Sequence, residues 1–590
     1  MDWQSELIGS FAWLVKALMI ACVLLFGFAL SIKNTRFGQQ FWLITKPCLN
    51  RSNTIKAIGM VVVLVFFVLL EVRISVLNTI FYNQLYSSLQ DMNAKVFWFF
   101  AVLNASLVIF KVIQEIIDSL IGQVFEIKWL EQLNGVMLTR WLANKNYYRL
   151  QYNQTLPDNI DQRIEQDARE LITSTVDMVR GVMNAIVSTI EFTIILWGLS
   201  GILSVFGLHI PKGVVFFIYA FIILATAVSV WIGKPLIKLN FDKERLHGDY
   251  RYSLIRVRDN AESIAFYHGE NQENQHLSRR FGAIITNRWA IIRRTLGLDG
   301  FNTGVTQIAM LLPLMLQAPR FFAGQIKLGD MHQTVQSFNR LMRALSFFRL
   351  FYEEFTLYQA RLNRLHGFLY TLDNLDNKTL HTPSHQDNQL CLVDFGLKNV
   401  DGETLLSGVN ICLSAGDALL IQGLSGAGKT TLLKAMAGIY PFEILGHART
   451  PKDGKVMFLP QRPYMPEGSL RHAICYPDIA TNDDNLIMIM RLCCLDKYVG
   501  ALDDVNDWQA VLSPGELQRV AFIRALLSKP AVIFLDETTS ALDEPTEDVL
   551  YTNIRTYLPR CIMVSVGHRN TLQKYHNKLL MLESRLGQES

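Results

Sequence analysis

Long apolar runs fill the first 355 residues, and no other feature narrows so sharply what the chain can fold into. A helix of about 20 apolar residues covers the roughly 30 Å hydrocarbon core of a bilayer. Runs of that kind occupy positions 11–32, 55–79, 96–122, 176–205, 214–236 and 302–317, with a weaker one at 331–351. They predict seven membrane helices, one leading and six forming a core. The first run is expected to be a retained helix rather than a signal peptide: Asp2 and Glu6 stand where Lys or Arg belong, it is too long for a signal core, and no A-x-A site follows.

Basic residues fix the orientation. Lys33, Arg36, Lys46, Arg51 and Lys56 follow the first run, and the long stretches 123–175 and 237–300 are also basic. The loops near 82–95, 206–213 and 318–330 are short and hold few Lys or Arg. The long loops and the C-terminus are therefore expected in the cytoplasm and the N-terminus outside.

Several of these helices carry charge. Lys111, Glu115 and Asp118 share one face, Glu191, Glu71 and Arg73 interrupt apolar runs, and Gln333, Gln336, Arg340 and Arg343 form a stripe on the last helix. Charges at membrane depth are costly and face a bundle interior or a wet cavity. As a set they predict a polar translocation cavity, with helix–helix pairing as the alternative.

Only 18% of the 590 residues are charged and 50% are hydrophobic, against about 25% charged in soluble chains. The 56 Lys and Arg against 52 Asp and Glu give +4, too little for nucleic-acid binding by bulk charge. Eight Cys without a CxxC pair exclude a disulfide scaffold or a zinc site, and the thiols are expected to be reduced; neighbouring Cys493 and Cys494 read as helix packing.

Past a polar linker at 371–389 the composition becomes that of a soluble α/β domain, 390–590. An apolar run leads into Gly423-Leu424-Ser425-Gly426-Ala427-Gly428-Lys429-Thr430, and a helical stretch starts at Thr431. Strand, glycine loop and helix is the setting of a phosphate-binding loop: glycines let N–H groups close round phosphates, and the helix start adds positive charge. Lys429 would reach the β- and γ-phosphates of ATP and Thr430 would hold Mg²⁺. A second run, Ala531-Val-Ile-Phe-Leu-Asp536-Glu537, ends in two carboxylates. Asp536 suits Mg²⁺, and Glu537 suits polarising a water for attack on the γ-phosphate.

Leu512-Ser513-Pro-Gly515-Glu516-Leu-Gln-Arg519 lies between the two and resembles the signature motif of the ABC transporter ATPases. The remaining elements follow in order: Gln461 matches the glutamine loop, Ser540-Ala-Leu-Asp543 the D-loop, and His568 the switch histidine. The resemblance implies a membrane α-helical bundle of exporter-like fold, six core helices plus one N-terminal helix, fused to an α/β P-loop ABC ATPase domain. It divides the chain into 1–54, a leading helix and elbow; 55–370, the membrane domain; the linker; and the ATPase domain.

It further implies that Glu537, His568 and Gln461 act in catalysis, and that Gln461 joins Thr430 and Asp536 at Mg²⁺. The phosphate loop with Thr431 binds nucleotide, and Ser513, Gly515 and Glu516 meet a nucleotide on a second copy. One membrane domain and one ATPase domain resemble a half-transporter, so a homodimer is implied. One departure stands out: Asn399 occupies the place where the family stacks an aromatic on adenine, and nearby Phe395 alternates as core.

The loop segments 153–164 and 258–270, with Ser-Pro-Gly-Glu, resemble the D subfamily and its bacterial SbmA/BacA-like relatives. In that group the two loops are coupling helices. The resemblance implies ATP-driven transport across a bacterial inner membrane, with lipid around the helices and the ATPase in the cytoplasm. The resemblance to those relatives implies import of a solute such as cobalamin or a peptide, and the polar helix faces favour a hydrophilic cargo over a lipid one. The alternatives are an exporter or fatty acyl-CoA carrier of the same family and, further off, a non-transporting ATPase scaffold.

Overall fold

The computed structural model describes residues 3–49, 51–152, 160–200, 203–205, 208–210, 212–376, 384–385, 389–399, 402–424, 426–451, 455–477, 479 and 481–582. The chain forms two compact units. One contains 1–143 and 157–373; the other contains 144–156 and 374–590.

The first unit is built from long helices: α1 (Trp3–Lys33), α3 (Arg51–Gln90), α4 (Ala94–Leu142), α5 (Ala168–Leu199), α6 (Gly213–Asp259), α7 (Glu270–Phe322) and α8 (Leu328–Asp376), with a short α2 (Arg36–Thr45) after α1. Among the described residues, α1, α3, α4, α5 and α6 contain stretches long and apolar enough to cross a membrane. The run expected to reach 205 stops earlier: α5 ends at Leu199, and 203–205 pairs with 208–210 as two short antiparallel strands.

The leading helix is docked on the unit. Ala21 of α1 is buried with Val65 and Leu69 of α3, and Trp13, Leu14, Met183 and Val187 pack round them. Beside this seam the Trp13 indole N–H donates to Glu191 Oε1 (3.0 Å), and the Arg73 guanidinium donates from Nε to the Ser10 hydroxyl (2.9 Å). Arg73 also pairs with Glu191 at 3.5 Å and lies 5.4 Å from the centre of the Trp13 ring. Glu191 and Arg73 are therefore partners tying three helices together, the alternative reading of those charges. In a low-dielectric bundle each charge is expensive unless it finds the other.

The other polar residues divide similarly. Asp118 pairs with Arg180 at 3.1 Å, and Gly122 makes room, since a Cβ there would meet Arg180 Nη2 at 2.4 Å. The Gln333 amide oxygen accepts from Asn83 at 2.6 Å, closing α3 onto α8. The Glu71 carboxylate accepts from the Asn184 amide at 3.0 Å. Gln336 and Arg340 are half-buried on α8, and Arg343 is exposed.

In the second unit β1 (Gln389–Lys398), β2 (Thr404–Ser414) and β4 (Ile444–Thr450) form an antiparallel sheet with β1 in the centre, extended by the pair 384–385 along β4. A second sheet is wholly parallel: β8 (Lys578–Leu582), β3 (Ala418–Gly423), β7 (Ile562–Val566), β6 (Val532–Asp536) and β5 (Val456–Leu459), in that spatial order. Strands β6 and β7 are buried at every position, as expected of parallel strands covered on both faces. Their apolar side chains pack into two cores, one containing Phe522, Ile533 and Tyr551 and the other Phe395, Leu432 and Phe534. Full burial of each such aromatic contributes about 1.5–3 kcal/mol.

One observation corrects the sequence reading. Cys391 and Cys412 stand directly opposite each other on β1 and β2 and form a disulfide, so the thiols are not all reduced. Spacing in sequence gave no sign of it, because the strand register brings the pair together. Among the described residues, 144–152 group with the second unit. There Asn146 and Leu150 are fully buried, and Tyr152 meets Phe442 edge-on at 5.8 Å. Most of the expected linker, and all of 153–159, lies outside the described residues.

Candidate functional site

The site is assembled at the C-terminal ends of the parallel strands, where helix starts converge. β3 ends at Gly423, whose φ of +153° and neighbour Leu582 (its O 2.4 Å from an added Cβ) admit no side chain. Leu424 is exposed, Ser425 lies outside the described residues, and Gly426 and Gly428 take φ of +85° and +84° with Ala427 between them. The loop then enters α9 (Lys429–Met436), with Thr430 and Thr431 in its first turn. Lys429 is buried, and its ammonium donates to the carbonyls of Gly423 (2.9 Å) and Leu424 (3.0 Å). The Thr430 hydroxyl donates to Asp536 Oδ1 at 2.8 Å, joining the loop to the end of β6. Burial pushes the Asp536 carboxyl above its ordinary pKa, with the Thr430 bond opposing.

Glu537 follows directly, at a φ of +48° that a non-glycine residue rarely adopts. Its N–H donates to the Val566 carbonyl (3.1 Å), so β7 holds it in that conformation. One carboxylate oxygen lies 3.3 Å from His568 Nε2; the other accepts from Gln461 Nε2 at 3.4 Å. Three residues far apart in sequence thus meet at one carboxylate.

The N-terminus of α10 (Pro514–Ser528) carries the next group. Ser513 is its N-cap and forms a capping box with Glu516, with Pro514 at the first helical position. Glu516 Oε2 accepts from the N–H (2.8 Å) and hydroxyl (2.9 Å) of Ser513, and Lys497 pairs with Oε1. Burial pushes the Glu516 carboxyl up, but Lys497 and the Ser513 donors outweigh it and hold it at about 2. Gly515 lies against Ala541 O, 3.0 Å from where a Cβ would stand, which fixes the loop 540–542 on this helix.

Asn399 is committed to the β1–β2 turn: its side-chain oxygen accepts from Glu403 N–H at 2.8 Å and its amide donates to Glu403 Oε2 at 3.0 Å. Phe395 is fully buried. Both lie on the β1–β2 sheet, and neither offers a free aromatic face. Sequence reasoning missed Gln518, which bonds both to the glutamine loop and to the loop beginning at Ser540. Its place three residues after Gly515 in the signature was the available clue.

Comparison with known proteins agrees with this geometry. Residues 44–322 match the family "ABC transporter transmembrane region 2", and residues 406–540 match "ABC transporter". An uncharacterized ABC transporter ATP-binding protein of Haemophilus influenzae is 62% identical over 583 residues, 99% of both chains. The ABC transporter D family member 2, chloroplastic, of Arabidopsis thaliana is 31% identical, covering 87% of this chain and 81% of that one. This chain belongs to the D family of ABC transporters. A further relative of this half-transporter is the human lysosomal cobalamin transporter ABCD4, 25% identical over 85% of this chain and 87% of that one. Among solved structures, a bacterial Atm1-family ABC exporter with ATP bound matches with a TM-score of 0.68 at 18% identity, over 89% and 93% of the two chains. The fold is thus an exporter-like helical membrane domain fused to an ABC ATPase domain, and that ATPase domain implies ATP binding.

The residues present fit Mg·ATP. Thr430 Oγ1, Asp536 and the Gln461 amide are hard oxygen ligands of the kind Mg²⁺ accepts alongside nucleotide phosphates. Two positive-φ glycines and a buried lysine ahead of a helix start form a cradle for polyphosphate.

Proposed function

We propose that two copies of this chain form an ATP-driven importer in a bacterial inner membrane, carrying a hydrophilic solute of the cobalamin or peptide type. The observation that carries the ATP-driven part is the convergence of Gln461 and His568 on Glu537, next to the Thr430–Asp536 pair. Lys429 is buried in the loop and would turn its ammonium from carbonyls to phosphate oxygens. Thr430, Asp536 and Gln461 would hold Mg²⁺, which when bound neutralises phosphate charge. Glu537 is the base: its carboxylate takes the proton of an attacking water, with Gln461 and His568 fixing its two oxygens. Ser513 and Gly515 at the start of α10 would meet the nucleotide held by the second copy, with Glu516 capping that helix.

The hydrophilic cargo is supported by Glu71, Gln336 and Arg340, which keep polar groups within the helical unit, and by the name of the human cobalamin relative. The pairing of Arg73 with Glu191 removes two residues from that argument.

The test is uptake of labelled cobalamin by cells with no other route, comparing wild type with Glu537→Gln at equal membrane levels. Uptake by wild type alone supports the reading. ATPase activity without uptake refutes the cargo or direction and leaves export or acyl-lipid transport. A pure dimer without ATPase activity refutes the ATP-driven mechanism itself.

A further inference from the structure

A closed ring of hydrogen bonds surrounds Glu537, and the residue that closes it is Gln518. Gln518 lies on the second turn of α10 and is 3% exposed. Its amide nitrogen donates to the backbone carbonyl of Gln461 (3.2 Å) and to the Ser540 hydroxyl (3.2 Å). Its amide oxygen accepts from the Ala541 N–H at 3.1 Å. Both donors and one acceptor site of the amide are thus used, each on a different partner.

Both branches lead back to the same residue. Through Gln461 the path reaches the Glu537 carboxylate, because that side chain donates to Oε2 at 3.4 Å. Through Ser540 it reaches the Glu537 backbone, because the Ser540 N–H donates to the Glu537 carbonyl at 3.1 Å. Glu537 itself sits at a φ of +48°, a conformation that persists only where its surroundings over-determine it. Gly515, one turn earlier on the same helix, presses against Ala541 and leaves the loop no room to drift.

Gln518 is thus held by burial and by three partners, while Gln461, Ser540 and Glu537 are at least partly open to water. A buried group that sets the separation of two more exposed ones acts on geometry rather than on chemistry.

We infer that Gln518 is a positioning residue for ATP hydrolysis, fixing the Gln461 amide and the Glu537 carboxylate in one arrangement by holding the backbones of both loops. The inference rests on the proposed role of Glu537 as base. It assigns to Gln518 an effect on turnover and none on nucleotide affinity, since Gln518 bonds to neither the phosphate loop nor α9 among the described residues.

The experiment uses the full chain in lipid nanodiscs with two variants. Gln518→Leu keeps the bulk and removes all three bonds. Gln518→Glu keeps the acceptor for Ala541 and removes both donors. Expected for each is a fall in kcat of about tenfold, the scale of one or two buried hydrogen bonds. The Kd for a fluorescent ATP analogue should stay within about twofold of wild type, while the melting temperature falls modestly in both variants because buried polar groups lose their partners. Wild-type turnover by Gln518→Glu would overturn the inference. So would a loss of nucleotide affinity as large as the loss of kcat in both variants, which assigns Gln518 to the scaffold. Absence of ATPase activity in the wild-type chain would instead refute the underlying reading of Glu537.

Discussion

Replacing Glu191 by alanine tests how the leading helix is held. The carboxylate lies 3.5 Å from Arg73 Nη1 and accepts the Trp13 indole N–H at 3.0 Å, and the two charged side chains are 14% and 13% exposed. At an effective dielectric near 20, charges 3.5 Å apart attract by about 5 kcal/mol before desolvation. The indole bond to a charged acceptor adds about 1.5–3 kcal/mol. Truncation leaves Arg73 buried and uncompensated, for which losses of about 3–5 kcal/mol are typical. Replacing both charges with apolar groups of similar size removes the penalty together with the attraction. Glu191→Ala should therefore lower stability by about 3–5 kcal/mol, while the double variant Arg73→Met, Glu191→Leu should lie within about 1–2 kcal/mol of wild type. Reversible SDS titration of the purified chain reads both numbers. Equal losses in the single and double variants, or a loss below about 1 kcal/mol in Glu191→Ala, would refute the ion-pair account.

Three further outcomes are expected. Glu537→Gln should keep its ATP affinity and lose about 10²–10⁴ in kcat, the contribution of a positioned general base; single-turnover kinetics with equilibrium binding separates the two. Gly423→Ala puts a Cβ 2.4 Å from the Leu582 carbonyl at a φ no side chain favours, and should cost about 2–4 kcal/mol, measured by chemical unfolding of the ATPase unit within the full chain. Asp417 is held at about 2 by hydrogen bonds from the Ser414 N–H, the Lys578 ammonium and the Asn577 amide. Because the folded value lies below the unfolded one of 3.8, that stabilisation is complete above about pH 4 and fades as pH falls towards 2. The stability gap between wild type and Asp417→Asn should close over that window in unfolding titrations.

Motifs that are contiguous in sequence were legible before any coordinates. The glycine loop around Lys429 and the strand ending in Asp536 and Glu537 each carry their chemistry within a few residues, so spacing points to them, while Ser513-Pro-Gly515-Glu516 at the start of α10 was legible through its resemblance to the ABC signature. The long apolar helices were legible for a similar reason, since about 20 consecutive apolar residues have few other fates. What stayed hidden depends on register and packing. Arg73 and Glu191 are 118 positions apart, and only the docking of α3 on α5 shows that they neutralise each other. Cys391 and Cys412 pair because of the β1–β2 register, and Gln518 gains its three partners from two separate loops. Asn399 was read as an anomaly in nucleotide binding; its side chain is spent on the β1–β2 turn.

The placement of residues 144–156 has a consequence for how the ATPase unit comes into being. One packing contact of this unit, Tyr152 on Phe442, is made by a residue encoded more than 200 positions upstream of the rest, which leaves the ribosome first. The second unit therefore includes a segment that the translating ribosome has long since released. A soluble fragment beginning at residue 374 would lack that segment, leave the Tyr152 side of Phe442 uncovered, and be a less faithful stand-in for the enzyme than its intact motifs suggest. Supplying a peptide of residues 144–156 in trans is the direct way to restore it.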